Sequence, residues 1–282
     1  MKACILALVT SGVLVLGGPA YGREPYRDAR LPVEERVRDL LRRMSLEDKI
    51  DQLSQKGAEH IKMAGGKADE ESLQRLFGVR SVGVLCVRFG DDLQESARRL
   101  AAGQHYLRQK TRLGIPALTV NEGLHGVLAK GATIYPQFLA LGCTWNPQLA
   151  EAMGTQIARE ASAAGINQLL SPMIEVVRDS RWGRVEECIG ESPLLVTRMC
   201  TAYTLGIQGD LRDKPLAHDK SLAMLKTFAG YSAPLNGINI ANCILGVREL
   251  RSVYSSPACS TAVPTATSMS CPGSPARRST WR

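Results

Sequence analysis

Short apolar segments alternating with amphipathic helical patterns constrain this chain more than any other feature. Ser81 to Val87, Ile115 to Val120, Ile166 to Leu170 and Ser221 to Phe228 are mainly apolar, too short for buried helices, and bounded by turn residues. Between them lie helical patterns. Glu34 to Met44 places Val37, Leu40 and Leu41 on one face, and Ser45-Leu46-Glu47-Asp48 has the form of a capping box that restarts a helix through Leu53. Asp92 to Arg112 is a long charged amphipathic helix. Asn146-Pro147 pairs an N-cap with a first-turn proline and opens a helix through Ala164; Ser192-Pro193 repeats the signal for a helix to about Leu205. A further helix begins at Gly246 and runs to Tyr254. Such alternation predicts an α/β fold with a parallel sheet and helical crossovers. With 282 residues, a (β/α)8 barrel is the expected architecture. A doubly wound open sheet is the alternative, but no G-x-G-x-x-G follows any strand.

Composition narrows the function classes. Hydrophobic residues are 44% and charged residues 22%, ordinary for a globular protein. The net charge of +8 owes four charges to Lys2, Arg277, Arg278 and Arg282 near the ends, and aromatics are only 5%. That lacks the dense basic stripe interleaved with aromatics of a nucleic-acid binder. Lys2, the apolar stretch Ile5 to Leu16, and small residues Ala20 and Gly22 before Arg23 read as an export signal over residues 1–22, which implies a secreted or periplasmic protein. After its removal no apolar run is long enough to cross a membrane. Eight cysteines include no C-x-x-C pair, and no spacing calls for a metal or an organic cofactor. The oligomeric state is not legible.

Three loops after the strands are rich in polar residues and glycine: Asn121-Glu122-Gly123-Leu124-His125-Gly126, Arg178 to Glu191, and Lys226-Thr227-Phe228-Ala229-Gly230-Tyr231. Barrel active sites sit on such loops. Each loop has a plainer reading. Glu122 and His125 also suit a turn acid and a satisfied structural histidine, and Arg178 to Glu191 also suits a solvated salt-bridge network. Lys226, ending an apolar strand, must reach water or pair with a carboxylate. Together the loops make a concave polar site suited to a ligand with many hydroxyls, with Trp182 available as an apolar face.

The loops in this order resemble the N-terminal barrel domain of family 3 glycoside hydrolases. The matching stretches are Arg112-Leu113-Gly114-Ile115-Pro116, Asn121-Glu122-Gly123-Leu124-His125-Gly126, Arg178-Asp179-Ser180-Arg181-Trp182-Gly183-Arg184, Gly190-Glu191-Ser192-Pro193 and Lys226 to Pro234, within a resemblance spanning about Tyr26 to Tyr254. The resemblance implies a secreted enzyme that hydrolyses β-glucosides or β-xylosides by a retaining mechanism, with an oligosaccharide or glycoside as partner and no cofactor. It implies that Glu122, Arg178 and Lys226 bind sugar hydroxyls at the subsite of cleavage, that His125 orients its loop, and that Trp182, Gly183 and Arg184 are structural. Thr227 stands where the family usually has histidine; it keeps one hydroxyl donor but cannot become cationic.

A retaining glycosidase needs two carboxyl groups roughly 5–5.5 Å apart. The family's nucleophile is an aspartate on a late barrel strand, and this sequence contains no Asp or Glu after Glu249. The nucleophile and the acid/base are therefore expected to lie outside it, and the barrel to be incomplete at its C-terminal end. From Ser255 to Arg282 the composition changes to seven Ser, four Thr, four Pro and four Ala, with no Leu, Ile, Asp or Glu. This stretch is expected to be an aberrant, disordered tail arising from a shifted reading frame or truncated gene model; the competing reading is a natural Ser/Thr/Pro linker. The alternative to an enzyme is a catalytically inactive carbohydrate-binding or non-functional fragment.

Overall fold

The computed structural model describes residues 24–211 and 215–257. The proposed export signal and the stretch 258–282 lie outside the described residues. The chain divides into two units, Met1–Glu47 and Asp48–Arg282.

In the first unit a 3-10 turn at Pro25–Arg27 precedes α1 (Val33–Arg43), within a residue of the predicted span. Glu34 and Glu35 lie in its first turn and Arg42 and Arg43 in its last, an order that opposes the helix dipole. Arg36 donates to Tyr26 O at 3.1 Å, and Arg43 bonds Asp39 and Glu24. α2 (Leu46–Asp51) follows, ending two residues short of the expected Leu53.

The second unit carries the sheet. Its strands are β1 (Gln55–Gly57), a small antiparallel hairpin of β2 (Met63–Ala64) and β3 (Lys67–Ala68), then β4 (Val84–Cys86), β5 (Leu118–Asn121), β6 (Gln168–Leu169) and β7 (Leu222–Ala223). β1, β4, β5, β6 and β7 lie side by side in that order, every neighbouring pair parallel. Strand order therefore follows chain order without reversal. A doubly wound sheet reverses at its switch point, so the barrel type of winding is the one observed. Among the described residues β1 and β7 are the sheet edges and the barrel does not close.

The crossovers are α3 (Glu70–Phe77), α4 (Leu93–Lys110), α5 (Phe138–Cys143), α6 (Pro147–Ala163) and α7 (Pro193–Gln208). The predicted caps form: Leu149 N donates to Asn146 Oδ1 at 3.0 Å and Leu195 N to Ser192 Oγ at 3.4 Å. α4 is likewise capped, with Glu95 N donating to Asp92 Oδ1 at 3.0 Å. α6 and α7 pack closely because Gly206 has no side chain; a Cβ there would collide with Glu151 O on α6. Ile157, Ala158 and Ala161 of α6 meet the core with Met199, Tyr203 and Ile207 of α7, and Leu85 and Leu169 fill it from the sheet.

The strands are shorter than their apolar runs. Ile115 to Val120 begins pairing only at Leu118, since Pro116 has no N–H for the ladder. The run from Ser221 pairs at Leu222–Ala223 and then meets the preceding segment once more, in a parallel bridge between Met173 and Lys226. The helix expected from Gly246 to Tyr254 is divided: α8 (Val247–Glu249) leads into a π-helical turn at Leu250–Tyr254, and helical geometry continues through 255–257. β1, the β2–β3 hairpin, α3 and α5 had no sequence prediction. α3 is short and rich in charge, and it is started by Asp69 accepting from Ser72 N at 2.9 Å.

Candidate active site

Three segments at the carboxyl ends of the strands supply the site: 121–126 after β5, 173–191 after β6 and 226–232 after β7. Backbone pairing places Lys226. Its N–H donates to Pro172 O at 3.0 Å, and Ile174 N–H donates to its carbonyl at 2.6 Å. From there Lys226 Nζ lies 2.8 Å from both Oε1 and Oε2 of Glu122. Both side chains are 15% exposed, so the ion pair is largely shielded yet open on one side. Glu187 Oε2 lies 3.9 Å from the same ammonium. Glu187 is in turn gripped by Arg184 through two hydrogen bonds of 2.6 and 2.7 Å, which hold the guanidinium firmly protonated.

The turn carrying Glu122 is built by its neighbours. Glu122 N–H donates to Asn121 Oδ1 at 2.7 Å, and Tyr203 OH donates to Gly123 O. Gly126 sits at φ 125°, and a Cβ there would strike Thr133 O, so only glycine fits.

Of the predicted residues, Glu122 and Lys226 come together directly. Arg178 is exposed and makes no hydrogen bond or ion pair among the described residues. Its neighbour Asp179 is held instead by Arg181, through bonds of 2.9, 3.2 and 2.6 Å plus the Arg181 N–H, which lower the Asp179 carboxyl to about 2. His125 is anchored through its backbone, accepting from Tyr135 N at 2.7 Å, while its buried Nδ1 has no hydrogen-bond partner among the described residues. Thr227 does not turn its proton outward: its Oγ1 donates to Glu175 Oε1 at 3.1 Å. Trp182 is 1% exposed, so it offers no face to a ligand. Its Nε1 donates to Asn239 Oδ1 at 3.0 Å, and its ring meets Tyr231 edge-on at 5.6 Å. The structural reading of Trp182 is the one observed, and the apolar-face reading is corrected.

Sequence reasoning missed Glu175. It is 1% exposed; its carboxyl accepts from Thr227 Oγ1 and from the backbone N–H groups of Ser232 and Tyr231, and it shares a hydrogen bond with Ser232 Oγ at 2.9 Å. Burial pushes its carboxyl above the usual range, against the lowering effect of those hydrogen bonds. The available signal was a lone carboxylate inside the apolar run Met173-Ile174-Glu175-Val176-Val177. Among the described residues no group of three His, Cys, Asp or Glu side chains converges as a metal site, and no helix is long and apolar enough to cross a membrane.

A parallel sheet wound in chain order, with charged side chains gathered at its carboxyl ends, is the layout of a β/α-barrel enzyme domain. A family model described as the glycosyl hydrolase family 3 N terminal domain matches residues 45–269, and the chain belongs to that family. The match extends past Tyr254, where the sequence reading ended the resemblance. A putative β-xylosidase of Formosa agariphila is 33% identical over 240 residues, covering 80% of this chain and 30% of its own length. A periplasmic β-glucosidase/β-xylosidase of Dickeya chrysanthemi is 28% identical, covering 76% of this chain and 34% of its own. Among solved structures, a β-glucosidase from Erythrobacter marinus superimposes with a TM-score of 0.75 at 30% identity, over 85% of this chain and 31% of that one. A mutant β-glucosidase from Listeria innocua, solved in complex with laminaribiose, does so with a TM-score of 0.68 at 29% identity, over 81% of this chain and 31% of that one. The chain thus spans about a third of the length of these relatives.

Proposed function

We propose that this chain carries the sugar-gripping part of a retaining β-glucosidase or β-xylosidase. The observation that carries the reading is the Lys226–Glu122 pair at the carboxyl ends of the sheet, 2.8 Å apart and open to solvent on one side. Paired charges of this kind recognise vicinal hydroxyls: Lys226 Nζ donates to one oxygen while Glu122 accepts from its neighbour's O–H. Arg178, exposed and without a hydrogen bond or ion pair among the described residues, supplies a further donor fork. The names of the relatives, β-glucosidases and β-xylosidases, support the substrate class.

The reaction needs a carboxylate free to attack the anomeric carbon. In this cluster Glu122 is held by Lys226, Glu187 by Arg184, and Glu175 is buried. The reading is therefore of a site that binds glycoside and whose nucleophile is not among these residues. Residues 1–22 act as an export signal that directs the protein out of the cytoplasm. The test is to purify the chain and assay aryl β-glucosides and β-xylosides, with circular dichroism and ligand titration on the same sample. Binding without turnover by folded protein is expected. Turnover would place an attacking carboxylate within the chain and overturn the mechanistic part. A folded chain that binds no glycoside would overturn the reading as a whole.

A further inference from the structure

Ser232 Oγ has two acceptors and one proton. It lies 2.9 Å from Glu175 Oε2 and 2.8 Å from Val176 O. Val176 O takes no backbone hydrogen bond among the described residues, so it depends on that hydroxyl. Thr227 Oγ1 meets the other carboxyl oxygen at 3.1 Å, and Ser232 N lies 3.3 Å from Oε2. Glu175 and Ser232 are both closed to water, at 1% and 0% exposure. A neutral carboxyl puts a proton in each of these close oxygen–oxygen contacts. Glu175 is protonated on Oε2 and donates to Ser232 Oγ; Ser232 donates to Val176 O; Thr227 donates to Oε1. If Glu175 were ionised, Thr227 Oγ1 and the backbone N–H groups of Tyr231 and Ser232 would still serve the carboxylate, but with the Ser232 proton on Val176 O the Ser232 oxygen would face Oε2 at 2.9 Å with no proton between them.

We propose that Glu175 is a positioning residue that works as a neutral carboxyl, latching the segment from Lys226 to Ser232 onto the strand-end segment 173–176 and so setting Lys226 against Glu122. The latch works through Thr227, the residue after Lys226, and through Ser232 at the far end of the same loop. Among the described residues no cation forms an ion pair with Glu175: Lys226 pairs with Glu122, Arg184 pairs with Glu187, and Arg178, whose charge reaches Tyr254, is exposed to solvent. The other titratable groups around it are the Cys188 thiol and the Tyr254 phenol. Both are pushed up by burial first and by Glu175 among the lesser causes, and both are neutral. Burial raises the Glu175 carboxyl as well, in agreement with the hydrogen-bond count.

The inference about Lys226 rests on the glycoside-binding reading; the inference about the proton does not. The experiment uses the full chain and its E175Q and E175A variants, with urea unfolding measured from pH 4 to pH 8. A carboxyl whose folded value is raised binds its proton more tightly in the folded state. Native stability then falls as pH rises from the ordinary glutamate value of about 4.3 to the raised one, by up to tenfold in the unfolding constant per pH unit. E175Q cannot titrate and lacks that fall, so it gains on the native chain as pH rises. A carboxylic-acid C=O stretch present near neutral pH and lost in E175Q is the matching infrared signature. If the native chain instead gains on E175Q with rising pH, or if their difference is flat, Glu175 is not held neutral and the proposal fails. For positioning, E175A is expected to lose aryl β-xyloside affinity at least tenfold at a pH where it remains folded, and E175Q to recover it. Equal affinity of E175A and the native chain overturns the latch. If the folded native chain binds no glycoside, the functional reading falls while the pH comparison still decides the proton.

Discussion

Two glutamates flank the consecutive residues Lys226 and Thr227, and they are kept in opposite ways. Glu122 faces an ammonium at 2.8 Å and stays partly open; Glu175 faces hydroxyls and a backbone N–H and is sealed. Charge on the first is balanced by a cation and is useful to a ligand. Charge on the second would have no cation, so burial favours its neutral form. A carboxylate near a binding site is thus not automatically part of its chemistry; its partners and its access to water decide.

Substitutions can break this contrast. The largest effect is expected on the sealed side. E175A strips the hydroxyls of Thr227 and Ser232 of their shared partner and leaves a void, costing about 2–4 kcal/mol of stability by urea unfolding. On the open side K226A leaves Glu122 without its cation. Because the pair reaches solvent, we expect a smaller loss of about 1–3 kcal/mol. The same variant is expected to lower glycoside affinity about 10–100-fold in a titration, the scale of one charge-assisted hydrogen bond. T227V removes a single bond to Glu175 and should cost about 1 kcal/mol, leaving the Lys226–Glu122 pair intact. R178A should change stability by no more than about 0.5 kcal/mol, since Arg178 is exposed and makes no hydrogen bond or ion pair among the described residues. Its effect should appear in glycoside affinity alone, which separates a ligand-facing residue from one that holds the fold.

Much of the architecture was readable from the chain. The caps at Asn146 and Ser192, each followed by proline, announced α6 and α7 because such signals act within a single turn. The alternation of apolar runs and helices implied parallel strands, since chains reach parallel neighbours only through crossovers. Strand lengths were over-read: apolar character continues where pairing stops, and β6 and β7 are short ladders within longer apolar runs. At the site, Lys226 had to reach water or pair with a carboxylate on desolvation grounds, and the structure supplies Glu122. Glu175 was passed over because it lies outside the motifs that carried the family resemblance. Its partners, Thr227 and Ser232, are more than fifty residues away in the chain.

Local patterns and the ordered motifs determined, by themselves, the fold class, the family and the residue types offered at the strand ends. These depend on hydrophobic period, capping and spacing, which operate between near neighbours. Only the tertiary structure decided which remote groups meet: that Lys226 closes on Glu122 across 104 positions, that Thr227 and Ser232 close on Glu175, and that Trp182 is buried against Asn239. Hydrogen bonds and ion pairs act over about 3 Å, and distances on that scale between residues remote in the chain exist only after the strands have set their register.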